Sequence, residues 1–130
     1  LEQIKRLDDN INARCDNLVT WVSNLDPELY YVDFLMEGSS NYALPLILNY
    51  DNKNMKLVCS ILESEGVEYR LGTAGGGNQA RQPYLERYEY SVVGKMNNTN
   101  YIHDYGLYIG NHPELTKKQI INLCGRLNDV

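Results

Sequence analysis

Asn78-Gln79-Ala80-Arg81-Gln82-Pro83 is the stretch where polar side-chain chemistry is densest. It places carboxamides at Asn78 and Gln82 on either side of the Arg81 guanidinium, directly after the glycine cluster Gly72-Thr73-Ala74-Gly75-Gly76-Gly77. A guanidinium suits two-pronged recognition of phosphate or carboxylate, and carboxamides bond sugar hydroxyls or base edges. Glycine lets backbone amides approach an anion closely. The cluster is not a Walker A loop, because no Gly-Lys-Ser/Thr follows it. It also lacks the Rossmann Gly-x-Gly-x-x-Gly spacing. Taken alone, the segment reads either as a recognition loop or as a solvated loop whose Arg81 pairs with Glu86 or Glu68.

The remaining candidates are sparser. His103 and His112 are too few and too far apart for a metal site, and no His-x-x-x-His or carboxylate cluster joins them. His112 does lie in Gly110-Asn111-His112-Pro113, a turn after a predicted strand, where functional residues concentrate. A Ser-His-Asp triad would need scattered residues without a nucleophile elbow. Asp8-Asp9 and the Glu63/Glu65 pair read as solvated helix surface. Eleven tyrosines stand against one Phe and one Trp. Tyr30, Tyr42 and Tyr108 fall in predicted strands, where aromatics are favoured anyway. Tyr84, Tyr88 and Tyr90 follow the polar loop and are candidate rim contacts. No residue qualifies as catalytic, and none as a metal ligand.

The bulk numbers narrow the class. At 130 residues the chain makes one domain, and 43% hydrophobic with 22% charged residues describes a globular protein. A net charge of −5 argues against a nucleic-acid binder, which needs a basic face. No apolar run approaches the roughly 20 residues of a membrane span. Cys15, Cys59 and Cys124 are odd in number and form no C-x-x-C pair, so a reducing, cytoplasmic setting is expected, without disulfides or zinc.

These residues must be positioned by a mixed set of elements. Ile4, Leu7, Ile11, Leu18, Trp21 and Leu25 form an apolar stripe on a helix over about residues 2–25, with Asp8, Asp9, Asn12, Asp16 and Asn17 largely off it. Pro27 ends that helix. Strands are predicted over Tyr30 to Leu35 and Tyr42 to Asn49, the second with Pro45 at an edge or bulge. Met55, Val58, Cys59 and Leu62 make a helix stopped by Gly66, and Val67 to Leu71 is a short strand. Asn97-Asn98-Thr99 opens a short helix that ends at Gly106, and Leu107-Tyr108-Ile109 is a strand. Thr116 and Gln119 form a capping box for a closing helix. The order predicts an α/β (α+β) two-layer domain with a small, mostly antiparallel sheet covered by helices.

Four stretches, in this chain order, carry a family likeness. They are Gly66-Val67-Glu68-Tyr69-Arg70, Gly77-Asn78 with Arg81-Gln82-Pro83, Asn98-Thr99-Asn100-Tyr101-Ile102-His103, and Gly106-Leu107-Tyr108-Ile109-Gly110-Asn111-His112-Pro113. Together they resemble the C-terminal small domain of the DegT/DnrJ/StrS family of pyridoxal-phosphate-dependent nucleotide-sugar enzymes, in its 3-dehydratase and perosamine-synthase-like branch. The opening helix and Ser40-Asn41-Tyr42-Ala43-Leu44-Pro45 fit as well, so the resemblance spans residues 1–130. The segment between Arg70 and Asn78 is longer and richer in glycine than the family pattern.

The resemblance implies the fold of the C-terminal domain of fold-type I PLP enzymes. It implies a homodimeric parent that acts on a nucleotide-linked sugar as aminotransferase or 4-keto-6-deoxysugar 3-dehydratase. The cofactor, PLP or PMP, is held by the parent's own N-terminal domain. Lys5, Lys53, Lys56, Lys95, Lys117 and Lys118 sit in no context resembling the cofactor lysine, so no cofactor is expected on these residues. The resemblance makes Asn78, Arg81 and Gln82 the contacts to the sugar or its diphosphate, with Arg70 and His112 as secondary contacts. The lack of an initiator Met agrees with a piece of a longer chain. The alternative is a stand-alone α/β binding or interaction module without catalysis.

Overall fold

In a computed structural model, residues 2–49, 54–72 and 77–130 are described. The central glycines of the cluster and Lys53 therefore lie outside the described residues. A short 3-10 turn over Ile4–Arg6 leads into helix α1, Leu7–Asn24. Strand β1 is Ala43–Ile47, helix α2 Met55–Ser64 and strand β2 Tyr69–Leu71. Two 3-10 turns, Gln79–Arg81 and Pro83–Arg87, carry the polar loop. Helix α3, Asn97–Tyr105, runs directly into strand β3, Gly106–Gly110, and helix α4, Lys117–Asn128, follows.

The sheet has the order β1-β3-β2 and is antiparallel throughout. Its register explains its two faces. Leu44 pairs with Ile109 and Leu46 with Leu107, while Tyr69 and Leu71 pair with the same two β3 residues from the other side. Because alternate side chains point to opposite faces, these six share the face that meets the helices. The row Pro45–Tyr108–Arg70 shares the other face. Pro45 falls on an edge strand, as expected, and its carbonyl accepts from the Trp21 indole at 2.7 Å.

Leu18, Trp21 and Leu25 of the α1 stripe are buried against Leu44, Leu46, Val58, Leu62, Ile120, Cys124 and Leu127. Helix α1 packs along α4, and their ends are tied by Asn128, whose Nδ2 donates to Asn24 O at 2.8 Å. Tyr30 is fully buried, and its hydroxyl donates to Leu127 O at 2.6 Å, satisfying a carbonyl in the last turn of α4. Burial also raises the Tyr30 phenol well above its ordinary range. Gly66, at φ +68°, closes α2 in a left-handed turn in which Val67 N donates to Leu62 O and Gly66 N to Glu63 O. The Thr116/Gln119 capping box forms at the start of α4.

Three local expectations are corrected. Tyr30 to Leu35 is not a strand: only a single bridge, Tyr30 to Leu48, forms there. A strand needs a neighbour to pair with, and this segment meets one only through its first two residues, Tyr30 bridging Leu48 and Tyr31 N donating to Ile47 O at 2.9 Å. The first half of the apolar stripe is uncovered, with Ile4 67% and Leu7 47% exposed. Asn17, read as lying off the stripe, is buried at 4% exposure. The two-layer α/β architecture itself is the one expected.

Candidate functional site

Helix α3 presents Asn100, His103 and Asp104 on one face, as residues three and four apart must be. The polar loop lies against that face. Asn78, 5% exposed, donates from its backbone N–H to His103 Nδ1 at 3.1 Å and from Nδ2 to Asn100 Oδ1 at 2.8 Å. Its Oδ1 accepts from Ala80 N at 2.9 Å, capping the turn that carries Arg81. Both ends of the Asn78 carboxamide are therefore engaged within the chain.

Arg81 reaches Asp104 through both terminal nitrogens, at 2.8 and 2.9 Å. Its hydrogen bond to Asp104 raises the guanidinium, and the same bond holds the Asp104 carboxyl below its ordinary range. The bridge is with Asp104, not with Glu86 or Glu68. The bridge takes one N–H from each terminal nitrogen and leaves the others over, and the side chain is 42% exposed. Gln82 is half-buried, and its backbone links the two 3-10 turns: Gln82 N donates to Gln79 O, and its carbonyl accepts from Leu85 N. Tyr90 lies over the loop and donates to Ala80 O at 3.1 Å, and Tyr84 accepts from Gln79.

Arg70 and His112 lie apart from this loop. Both line a groove of about 780 Å³, together with Tyr42, Tyr108, Trp21 and Glu68, while Asn78, Arg81 and Gln82 do not. Arg70 is held by Glu68 at 3.6 Å, and its Nη1 donates to Tyr69 O at 3.1 Å. Tyr42 meets Tyr108 edge-to-face, with centroids 6.0 Å apart. His112 is placed by a buried amide knot. Asn111 donates from Nδ2 to Arg14 O at 3.0 Å and Asn41 O at 2.9 Å. Asn17 donates to Asn111 Oδ1 and to His112 O, both at 3.0 Å. The five candidates thus divide into a loop of three and a groove pair.

Asn17, Asn100, Asp104 and Asn111 were not singled out from sequence. Asn100 and Asn111 stand inside the quoted family stretches, so the signal was present, although no local rule gives their partners. No lysine and no aspartate lines the groove, and Lys5, Lys56, Lys95, Lys117 and Lys118 are exposed. The groove as lined by the described residues thus offers neither a lysine nor an aspartate to a pyridoxal-phosphate ring, which needs dedicated partners. Among the described residues no group of His, Cys, Asp or Glu is placed to hold a metal ion, and no helix is long and apolar enough to cross a membrane.

No family model matches the chain. GDP-4-keto-6-deoxy-D-mannose 3-dehydratase of Yersinia pseudotuberculosis is 30% identical over 127 residues, covering 95% of this chain and 32% of that protein. The chain is a relative of one third of a sugar 3-dehydratase. The corresponding E. coli enzyme, solved with bound hydrated PLP, superposes with a TM-score of 0.83 at 26% identity, over 97% of this chain and 33% of the other. A DegT DnrJ EryC1 StrS aminotransferase from Brucella abortus shares the fold, with a TM-score of 0.74 at 16% identity over 100% of this chain and 34% of that one. The chain spans about a third of the length of the relatives it matches. The chain is thus similar in sequence to a 3-dehydratase and in fold to an aminotransferase.

Proposed function

We propose that this chain is the C-terminal small domain of a larger, homodimeric, cytoplasmic enzyme of nucleotide-sugar biosynthesis. That enzyme uses pyridoxal phosphate, held outside the residues described here, and acts on a 4-keto-6-deoxy nucleotide sugar as a 3-dehydratase or aminotransferase. The observation that carries this reading is the asymmetry of coverage: 95% of this chain against 32% of the Yersinia dehydratase, at 30% identity. The domain's work is to bind and orient substrate. Arg81 offers the outer edge of its guanidinium to the diphosphate, Gln82 borders it, and Asn78 shapes the turn. Arg70 and His112 supply secondary contacts from the groove, with Tyr42 and Tyr108 as apolar walls.

The test uses the longest polypeptide that contains this chain. It is expected to show the visible absorbance of the bound cofactor and to consume a GDP-linked 4-keto-6-deoxy sugar. Arg81→Ala should raise the substrate KM roughly ten- to hundredfold, the value of a charge-assisted hydrogen bond of about 1.5–3 kcal/mol. A polypeptide without cofactor absorbance and without turnover would favour the stand-alone module. Unchanged KM in Arg81→Ala would remove Arg81 from the binding site.

A further inference from the structure

The loop that carries Arg81 follows a glycine-rich run, and such a segment is costly to order. Its two described ends are both rooted on one residue. A Cβ at Gly72 would stand 2.6 Å from His103 O and 2.7 Å from His103 Cα, and one at Gly77 would strike the His103 imidazole and lie 2.6 Å from Gly72 O. Both glycines are thus pressed against the same turn of α3, closer than any other residue type allows. One residue further on, Asn78 N donates to His103 Nδ1 at 3.1 Å. That bond uses the lone pair of Nδ1 as its acceptor. The attachment continues along the same helical face through Asn100 to the Asn78 side chain and Asp104 to Arg81.

We propose that His103, supported by Asn100 and Asp104, is the positioning residue of the 77–82 loop, holding Arg81 preformed for the nucleotide sugar. The proposal rests on the reading of Arg81 as a substrate contact. His103 touches no substrate in this scheme and acts through the Asn78 amide. Preforming a loop removes an ordering cost from binding, so its loss appears in KM and not in kcat.

The test compares His103→Ala with His103→Asn in the full polypeptide, because the asparagine Oδ1 can stand near the Nδ1 position as an acceptor. His103→Ala should raise the nucleotide-sugar KM about tenfold, the worth of one such bond with its ordering, with kcat changed less than about twofold. His103→Asn should restore most of it. Amide hydrogen exchange gives a second readout: protection at Asn78 N–H is lost in His103→Ala and kept in His103→Asn. Arg81→Ala runs beside them. Retained protection at Asn78 in His103→Ala overturns the proposal. So does lost protection with unchanged KM, if Arg81→Ala raises KM. If Arg81→Ala itself leaves KM unchanged, the reading of the loop as a substrate contact fails, and the exchange data alone decide whether His103 holds the loop.

Discussion

Asn111 offers the most demanding test of the structure. It is 3% exposed and sits at the end of β3, just before His112. Its carboxamide makes three side-chain bonds to two separate parts of the chain: Arg14 O and Asn17 Nδ2 in α1, and Asn41 O ahead of β1. Truncation in Asn111→Ala removes all three. Asn17 keeps its bond to His112 O, but the two part-buried carbonyls of Arg14 and Asn41 lose a partner. At about 1 kcal/mol net per bond, with more for each group left unpaired, the expected loss is about 3–4 kcal/mol. That is a large part of the roughly 5–15 kcal/mol by which domains are stable. Urea unfolding followed by Trp21 fluorescence measures it, and the midpoint should fall with an unchanged m-value. Asn111→Asp is nearly isosteric yet turns an acceptor toward two carbonyls. It should cost at least as much at neutral pH and recover as acid protonates the new carboxyl. A loss under about 1 kcal/mol in Asn111→Ala, or an Asn111→Asp variant as stable as the parent at neutral pH, would refute the buried knot.

Three further outcomes follow from the same structure. Thr116→Ala removes half of the capping box on α4 and should cost about 1 kcal/mol in the same urea assay. The Cys124 thiol is pushed up to about 12 by burial, so an aromatic disulfide reagent at mildly alkaline pH should leave it unmodified in native protein and label it after unfolding, as mass spectrometry would show. The Asp104 carboxyl is held below its ordinary range by Arg81, so the bridge is complete at neutral pH and weakens only as pH falls through that lowered value. NMR titration of the Asp104 carboxyl should show an upward shift of its midpoint in Arg81→Ala; an unmoved midpoint would mean that the pair does not form in solution.

Features governed by neighbours in the chain were legible in the sequence. The capping box, the Gly66 stop, the edge position of Pro45 and the buried half of the α1 stripe each depend on residues within a turn or a strand. What escaped depends on distant partners. Asn17 looks solvent-facing by helical periodicity, because a polar residue beside an apolar stripe ordinarily is; its partner Asn111 lies 94 positions away. Arg81 has acidic neighbours that make plausible local partners, but the folded chain brings it to Asp104, 23 positions away. Tyr30 to Leu35 is rich in aromatic and branched residues like a strand, but that composition cannot reveal that sheet pairing stops after one bridge. The likeness across four motifs was stronger than any of its pieces, since their order along the chain carries the fold that local rules cannot reach.

The strand order has a consequence for how this protein is made. Among the described residues the ladders of both β1 and β2 are formed with β3, so Leu44 waits for Ile109, and Tyr69 waits for the same residue. During synthesis, everything up to α3 leaves the ribosome with two strands whose common partner has not yet been translated. Until Gly106 to Gly110 emerges, those edges and the apolar face beneath them are open to chaperones or to other nascent chains. Assembly of the sheet is therefore a late, long-range event, and a stop codon before Gly106 would leave β1 and β2 without their common partner.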